Sequence, residues 1–165
     1  MTKRFRFVAG LAFCMGLASA ADAALPPGFI YAHGSVCVPY DQLSQASYAN
    51  NQWGIQALFT DPIKVGCNLG AGVGSTFSHR LVVAAYDRNI GSEVNCTLYQ
   101  TTLDGTLFFV MSKSTSGASA ASQSLVFESV GSQILGSDYY TYLECWLPGK
   151  ASNGSFSHLT SITGY

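Results

Sequence analysis

The chain has 165 residues, 48% of them hydrophobic and only 10% charged, with a formal net charge of −1. Typical globular proteins carry about 25% charged residues, so this chain cannot be built mainly from long amphipathic helices, whose wet faces need Lys and Glu. It also has no cluster of basic residues to neutralise phosphates, which argues against nucleic acid as a partner.

The first segment reads as an export signal. Lys3, Arg4 and Arg6 form a basic start, residues 7–17 an apolar core too short to span a bilayer, and Ala18-Ser19-Ala20 and Ala21-Asp22-Ala23 two small-residue cleavage sites. Cys14 lies inside the apolar core behind the bulky Phe13, a context unsuited to lipid attachment. Residues 1–23 are therefore read as a cleaved signal peptide and 24–165 as one domain. That domain has 142 residues, with five basic and eight acidic side chains and a net charge of −3, enough chain for a real core. No later apolar run is long enough for a transmembrane helix. The expected location is secreted or periplasmic, with no integral membrane segment after cleavage.

Downstream, Leu25-Pro26-Pro27-Gly28 is an extended lead-in. The pattern predicts a strand over residues 30–38 that stops at Pro39, then a polar loop or one short helix over 40–51. Trp53, Ile55, Ala57 and Phe59 alternate as a strand would, and Val65, Cys67 and Leu69 do the same after the Asp61-Pro62 turn. Residues 70–75 are glycine-rich. The apolar run 81–86, turn residues 87–92 and the alternation of Val94, Cys96 and Leu98 read as a β-hairpin. Asp104-Gly105 marks another turn before a strand at 107–111. A Ser/Ala/Gly loop spans 113–124, a strand 125–130, a turn 131–138, a strong strand 139–147 ended by Pro148-Gly149, and a weaker terminal strand 155–165. About eight or nine short strands separated by turn chemistry predict an all-β fold, an antiparallel β-sandwich of jelly-roll-like or Greek-key type.

Four cysteines remain after the signal, Cys37, Cys67, Cys96 and Cys145, and allow three connectivities. Cys96 lies between Val94 and Leu98, and Cys145 between Leu143 and Leu147, on one strand face each, so both sulfurs point to the core and can meet. Cys37–Cys67 and Cys96–Cys145 are therefore the favoured pairs, as structural staples. No Cys-x-x-Cys pair is present to suggest redox or zinc chemistry. Cys37-x-Pro39, Cys67, the Asp87-ended strand, Cys96-x-Leu98 and Cys145-x-Leu147-Pro148 resemble small exported bacterial proteins of uncharacterised function. The resemblance implies secretion and a disulfide-bonded β-domain, and carries over no active-site residue.

Candidate chemistry is sparse. A Ser-His-Asp site from His79 or His158 with Asp87 lacks a Gly-x-Ser-x-Gly elbow. His33 completes the histidines, and no His-x-x-x-His spacing exists for zinc. Calcium ligation by Asp87 and Asn89, or by Asp104 and Asp138, lacks a recognisable ligand loop. The reading is no metal and no cofactor, with a non-enzyme favoured over an enzyme. The arrangement that stands out is aromatic. If Leu143, Cys145 and Leu147 face the core, then Tyr140, Tyr142, Glu144 and Trp146 share the other face. Tyr99, with Asn95 and Thr97, lies on the matching face of its partner strand. Tyr and Trp combine an apolar body with a polar handle, so Tyr140, Tyr142, Trp146 and Tyr99 form a candidate binding face for a protein or a glycan. The expected function is a non-enzymatic exported β-sandwich with a binding or envelope/extracellular assembly role. The alternative is a small secreted hydrolase with a site assembled from distant residues.

Overall fold

Alternating burial organises the long strands. The computed structural model describes residues 30–40, 48–69, 80–128 and 139–164. Within them run β1 (Ile30–His33), β2 (Val38–Pro39), β3 (Tyr48–Asn51), β4 (Gly54–Ala57), β5 (Ile63–Asn68), β6 (Arg80–Tyr86), β7 (Asn95–Thr102), β8 (Leu107–Ser114), β9 (Gln123–Glu128), β10 (Tyr139–Leu147) and β11 (His158–Gly164). In β6, Leu81, Val83 and Ala85 are buried while Val82, Ala84 and Tyr86 are half-buried. β7 buries Cys96, Leu98 and Gln100, and β10 buries Thr141, Leu143, Cys145 and Leu147. Residues two apart share a face of a strand, so each strand turns one side to a common core. The expected signal peptide, the lead-in at 25–28, the glycine-rich stretch 70–75, His79, Asp138 and the turn at 131–138 lie outside the described residues.

The strands form two antiparallel sheets. One has the order β3-β4-β11-β6-β9, with β1 also paired to β11; the other has the order β2-β5-β10-β7-β8. Ile55, Leu81, Val83, Phe127, Leu159 and Ile162 fill the core from the first sheet; Val65, Leu98, Leu143 and Leu147 meet them from the second, all fully buried. Burial of each such side chain contributes roughly 1.5–3 kcal/mol. This is the all-β, disulfide-stapled sandwich that the sequence predicts.

Four local readings are corrected. Residues 81–98 are not a hairpin. β6 pairs with β11 and β9, whereas β7 pairs with β10 and β8 in the opposite sheet. Period-two alternation reports which face of a strand is buried, not which sheet the strand joins. Residues 30–38 are not one strand: a 3-10 turn, Gly34–Val36, separates β1 from β2. Residues 48–51 are strand rather than loop or helix, because β3 pairs with β4 around a turn at Gln52 and Trp53. These two changes carry the strand count past the expected eight or nine. The predicted 113–124 loop is also shorter, since β8 runs to Ser114 and Thr115 is buried.

β11, which reads as a weak terminal strand, is the centre of the six-stranded sheet. It pairs with β6 on one side, and with β4 (at His158 and Leu159) and β1 (at Ser161–Gly164) on the other. A register shift between Leu159 and Ser161 interrupts it. Two glycines lie against the Leu159 carbonyl at this bulge. A Cβ at Gly34 would come within 2.1 Å of that oxygen, and one at Gly54 within 1.6 Å. Gly54 also has φ +111°, a region that side chains disfavour.

Both disulfides form as expected, Cys37–Cys67 and Cys96–Cys145. Both lie in the five-stranded sheet. Cys96 and Cys145 are direct cross-strand partners, and Cys37 immediately precedes β2, which pairs with β5 at Val38 and Gly66. All four cysteines are fully buried. Such bonds fit an oxidising compartment. Among the described residues no helix is long and apolar enough to cross a membrane.

Candidate functional site

The outer face of the five-stranded sheet collects the side chains that alternate with the buried ones. The register sets Tyr142 opposite Tyr99 and Asn68, Glu144 opposite Thr97 and Gly66, and Trp146 opposite Asn95 and Lys64. The structure thus brings the four sequence-predicted residues, Tyr99, Tyr140, Tyr142 and Trp146, onto one face. Tyr140 is 48% exposed and Trp146 45%. Six residues apart on β10, they stand about 20 Å from each other.

Between them the face is ordered by its own contacts. The Tyr142 ring lies across Gly66, where an added Cβ would sit 2.1 Å from its hydroxyl. Tyr40 meets Tyr142 edge-on at 5.7 Å between ring centroids, and Tyr99 lies 6.4 Å away on the other side. The Lys64 ammonium is 2.7 Å from the Glu144 carboxylate and 5.6 Å from the Tyr40 ring centre. Burial, with the nearby Glu144 charge, pushes the Tyr142 hydroxyl up to about 12. Exposed Val38, Leu107 and Val110 lie on the flanking strands. Thr97 and Ser112 hydroxyls at 2.8 Å, and Asn95 Nδ2 donating to Ser114 Oγ at 2.7 Å, complete a polar strip.

A concave feature, which sequence reasoning missed, lies on the six-stranded sheet. Where β6 ends and β11 begins, Tyr86 and His158 are direct partners, and His158 is also opposite Gln56 of β4. Their rings stack, with centroids 4.8 Å apart and planes 15° from parallel. Together with Trp53, Arg88 and Phe156 they line a groove of about 520 Å³. Trp53, in the β3–β4 turn, is 61% exposed. Burial lowers the His158 pKa; the backbone at Phe156 offsets part of this, and the Arg88 charge lowers it further. His158 Nδ1 is buried and makes no hydrogen bond.

The groove is fixed from below by Asp87. This residue is fully buried, and its carboxylate accepts bonds from Asn89 N, Val94 N, Ser157 Oγ and Thr115 Oγ1. Its own carbonyl accepts from Ser119 N at 2.7 Å. Arg88 follows directly. Its N donates to Ser157 Oγ at 2.9 Å, its guanidinium donates to the Ala120 carbonyl at 3.2 Å and lies 5.8 Å from the centre of the Tyr86 ring. The loop carrying Ala120 is held by Gln123, which bonds Ser116 N and the Gly117 carbonyl. One carboxylate therefore gathers the three loops that build this end of the sandwich.

That accounting shows where the candidates for chemistry that fall among the described residues are engaged. A catalytic histidine needs a carboxylate to orient it, but Asp87 is engaged by four other donors and His158 Nδ1 by none. Asn89 is turned to the backbone, accepting from Gly91 N and donating to the Gly149 carbonyl. Asp104 caps the β7–β8 turn through Thr102 and Thr106, which lower its pKa. His33 accepts from Ser35 N and caps the 3-10 turn. Among the described residues no three His, Cys, Asp or Glu side chains gather as a metal set. The signal that would have revealed the groove was the exposed Trp53 inside Asn51-Gln52-Trp53-Gly54, a turn composition rather than a strand.

No protein-family model matches the chain, and no curated protein matches it. Among solved structures it is similar to TmCBM61 in complex with beta-1,4-galactotriose, at 6% identity and TM-score 0.41, over 83% of this chain and 87% of that chain. A likeness of that degree carries no argument about ligand or mechanism.

Proposed function

We propose that the protein is an exported, non-enzymatic binding module that seats a glycan chain on the aromatic face of its five-stranded sheet. The observation that carries this reading is the exposure of Tyr140 and Trp146 at the two ends of a face whose centre, Tyr40–Tyr142–Tyr99, is already ordered. A pyranose ring offers an apolar C–H face and a rim of hydroxyls. Aromatic rings supply the matching apolar surface, and their polar tips with Asn95, Thr97 and Ser112 supply hydrogen-bond partners. Because the centre is fixed before binding, little ordering cost opposes association. The two disulfides and the expected signal peptide support work in an oxidising compartment outside the cytoplasm.

The test is a glycan panel probed with the mature protein and with Trp146→Ala. Truncation of an aromatic anchor is expected to cost above about 2 kcal/mol of binding. Stability should change by about 0.5 kcal/mol or less, as for an exposed position. A collapse of the melting temperature would place Trp146 in the core and sink the reading. So would capture of a protein in place of any glycan.

A further inference from the structure

The groove on the six-stranded sheet has a chemistry of its own. Its walls are aromatic: Trp53 stands exposed, and the Tyr86–His158 pair forms a stacked surface beside Phe156. Its hydrogen-bonding groups are the Gln56 amide, the Ser155 hydroxyl and the Arg88 guanidinium. Among the described residues no carboxylate lines it, and Arg88 has no carboxylate partner among them either. Of the five N–H donors of a guanidinium, one is committed to the Ala120 carbonyl. The others are held in place by that bond, by the Tyr86 ring below and by the backbone bond to Ser157. His158, neutral at pH 7 because burial lowers its pKa, brings no charge that would compete with Arg88. A preorganised cation beside stacking rings, in a hollow of about 520 Å³, matches a small ring that bears one negative charge.

We propose that this groove is a second saccharide site, on the opposite sheet from the aromatic face, that takes a sugar residue bearing a carboxylate. The pyranose ring stacks on Trp53, the carboxylate pairs with Arg88 in a charge-assisted fork, and Gln56 and Ser155 take hydroxyls. The site stands independently of the aromatic face, since the two share no residue.

The chain contains two tryptophans, Trp53 and Trp146, and each reports one site. Trp146→Phe leaves Trp53 as the sole reporter of the groove; Trp53→Phe leaves Trp146 as the sole reporter of the face. Trimers of galacturonate, glucuronate and mannuronate, each as the free acid and as its methyl ester, are titrated against both proteins by tryptophan fluorescence. The expected result is a saturable change at Trp53 with at least one acid trimer. Its methyl ester, with the same ring and no charge, should bind about tenfold or more weakly, the range for a hydrogen-bonded charge. Arg88→Gln in the Trp53-reporting protein should remove the difference between acid and ester. Arg88→Lys should restore part of the preference for acid, because it keeps the charge without the fork. Equal binding of acid and ester by the unaltered groove, or no acid trimer changing Trp53, overturns the proposal without relying on any Arg88 variant. A response at Trp146 alone would overturn the groove site while leaving the aromatic face standing; a response at Trp53 alone would support the groove and leave the aromatic face to be decided by its own glycan panel.

Discussion

The two sheets of this sandwich are held together by different means. The five-stranded sheet carries both disulfides, each joining neighbouring strands. The described part of the six-stranded sheet carries none, and depends on close backbone approach at the Leu159 bulge and on the buried Asp87 carboxylate at its loop end. The difference has a functional side. The stapled sheet presents a broad face made by strand alternation, whereas the unstapled sheet presents a groove where loop residues close over the ends of paired strands. A face needs only a regular strand. A groove needs its loops gathered, and here one carboxylate does the gathering.

The largest expected effect follows from that carboxylate. Asp87→Ala should destabilise by about 4 kcal/mol or more, because hydrogen bonds to a charged group contribute about 1.5–3 kcal/mol each and the buried Ser157 hydroxyl loses its acceptor. Urea unfolding measures it, and a loss under 1 kcal/mol would show that the three loops are held by other contacts. The staples come next. The Cys96–Cys145 loop spans 49 residues and the Cys37–Cys67 loop 30, which chain entropy converts to about 4.1 and 3.7 kcal/mol as upper values. Replacing the first pair by alanines should therefore cost slightly more than replacing the second. It also removes a link between two inner strands, whereas Cys37–Cys67 secures the two-residue edge strand β2. Equal melting shifts would contradict the ranking.

Glycines sharpen the contrast further, with one in each sheet facing a neighbour too closely for a Cβ. At Gly54 the obstacle is the Leu159 backbone carbonyl, at 1.6 Å, and φ is +111°. At Gly66 it is the far end of the Tyr142 side chain, at 2.1 Å. Backbone cannot yield cheaply; a phenol ring can swing out. Gly54→Ala should thus cost about 3 kcal/mol or more, and Gly66→Ala about 1 kcal/mol or less. In the second variant the Tyr142 hydroxyl, released toward water, should titrate below its present value of about 12, read by ultraviolet absorbance. Similar losses for the two variants would mean that Tyr142 is as fixed as the backbone.

What was legible in the sequence divides along the same line. β10 could be read because Leu143, Cys145 and Leu147 alternate without interruption against Tyr142, Glu144 and Trp146, and the same alternation in β7 paired the cysteines. β11 could be read only as a weak terminal strand, not as the centre of a sheet, because its buried Leu159 and Ile162 are three apart across a bulge, which blurs the period that marks a strand. The groove was illegible for a related reason. Trp53 comes from a turn, Arg88 from a corner between sheets, and Tyr86 and His158 from strands far apart in sequence. Only the pairing of β6 with β11 unites them, and alternation says nothing about which strands pair.

The last effects expected are those of pH, and they place the two regions at opposite ends of the scale. The folded-state pKa of His158 lies below its ordinary value of 6.5. Above 6.5 the ring is neutral in both folded and unfolded chains. As pH falls through 6.5 toward the folded value the unfolded chain takes up the proton first, so stability declines over that window. Tyr142 has the opposite sign. Its folded pKa is raised from 10.0 to about 12, so its contribution is complete below 10 and is lost as pH rises from there to about 12. The groove end should therefore weaken first in acid and the aromatic face first in alkali. Unfolding free energies measured from pH 5 to pH 11 for the parent, His158→Gln and Tyr142→Phe separate the two. His158→Gln should flatten the acid limb and leave the alkaline limb unchanged; Tyr142→Phe should do the reverse. Parallel curves for parent and His158→Gln below pH 6.5 would mean that the imidazole is already open to water, and that the stacked wall of the groove is looser than its 4.8 Å ring spacing implies.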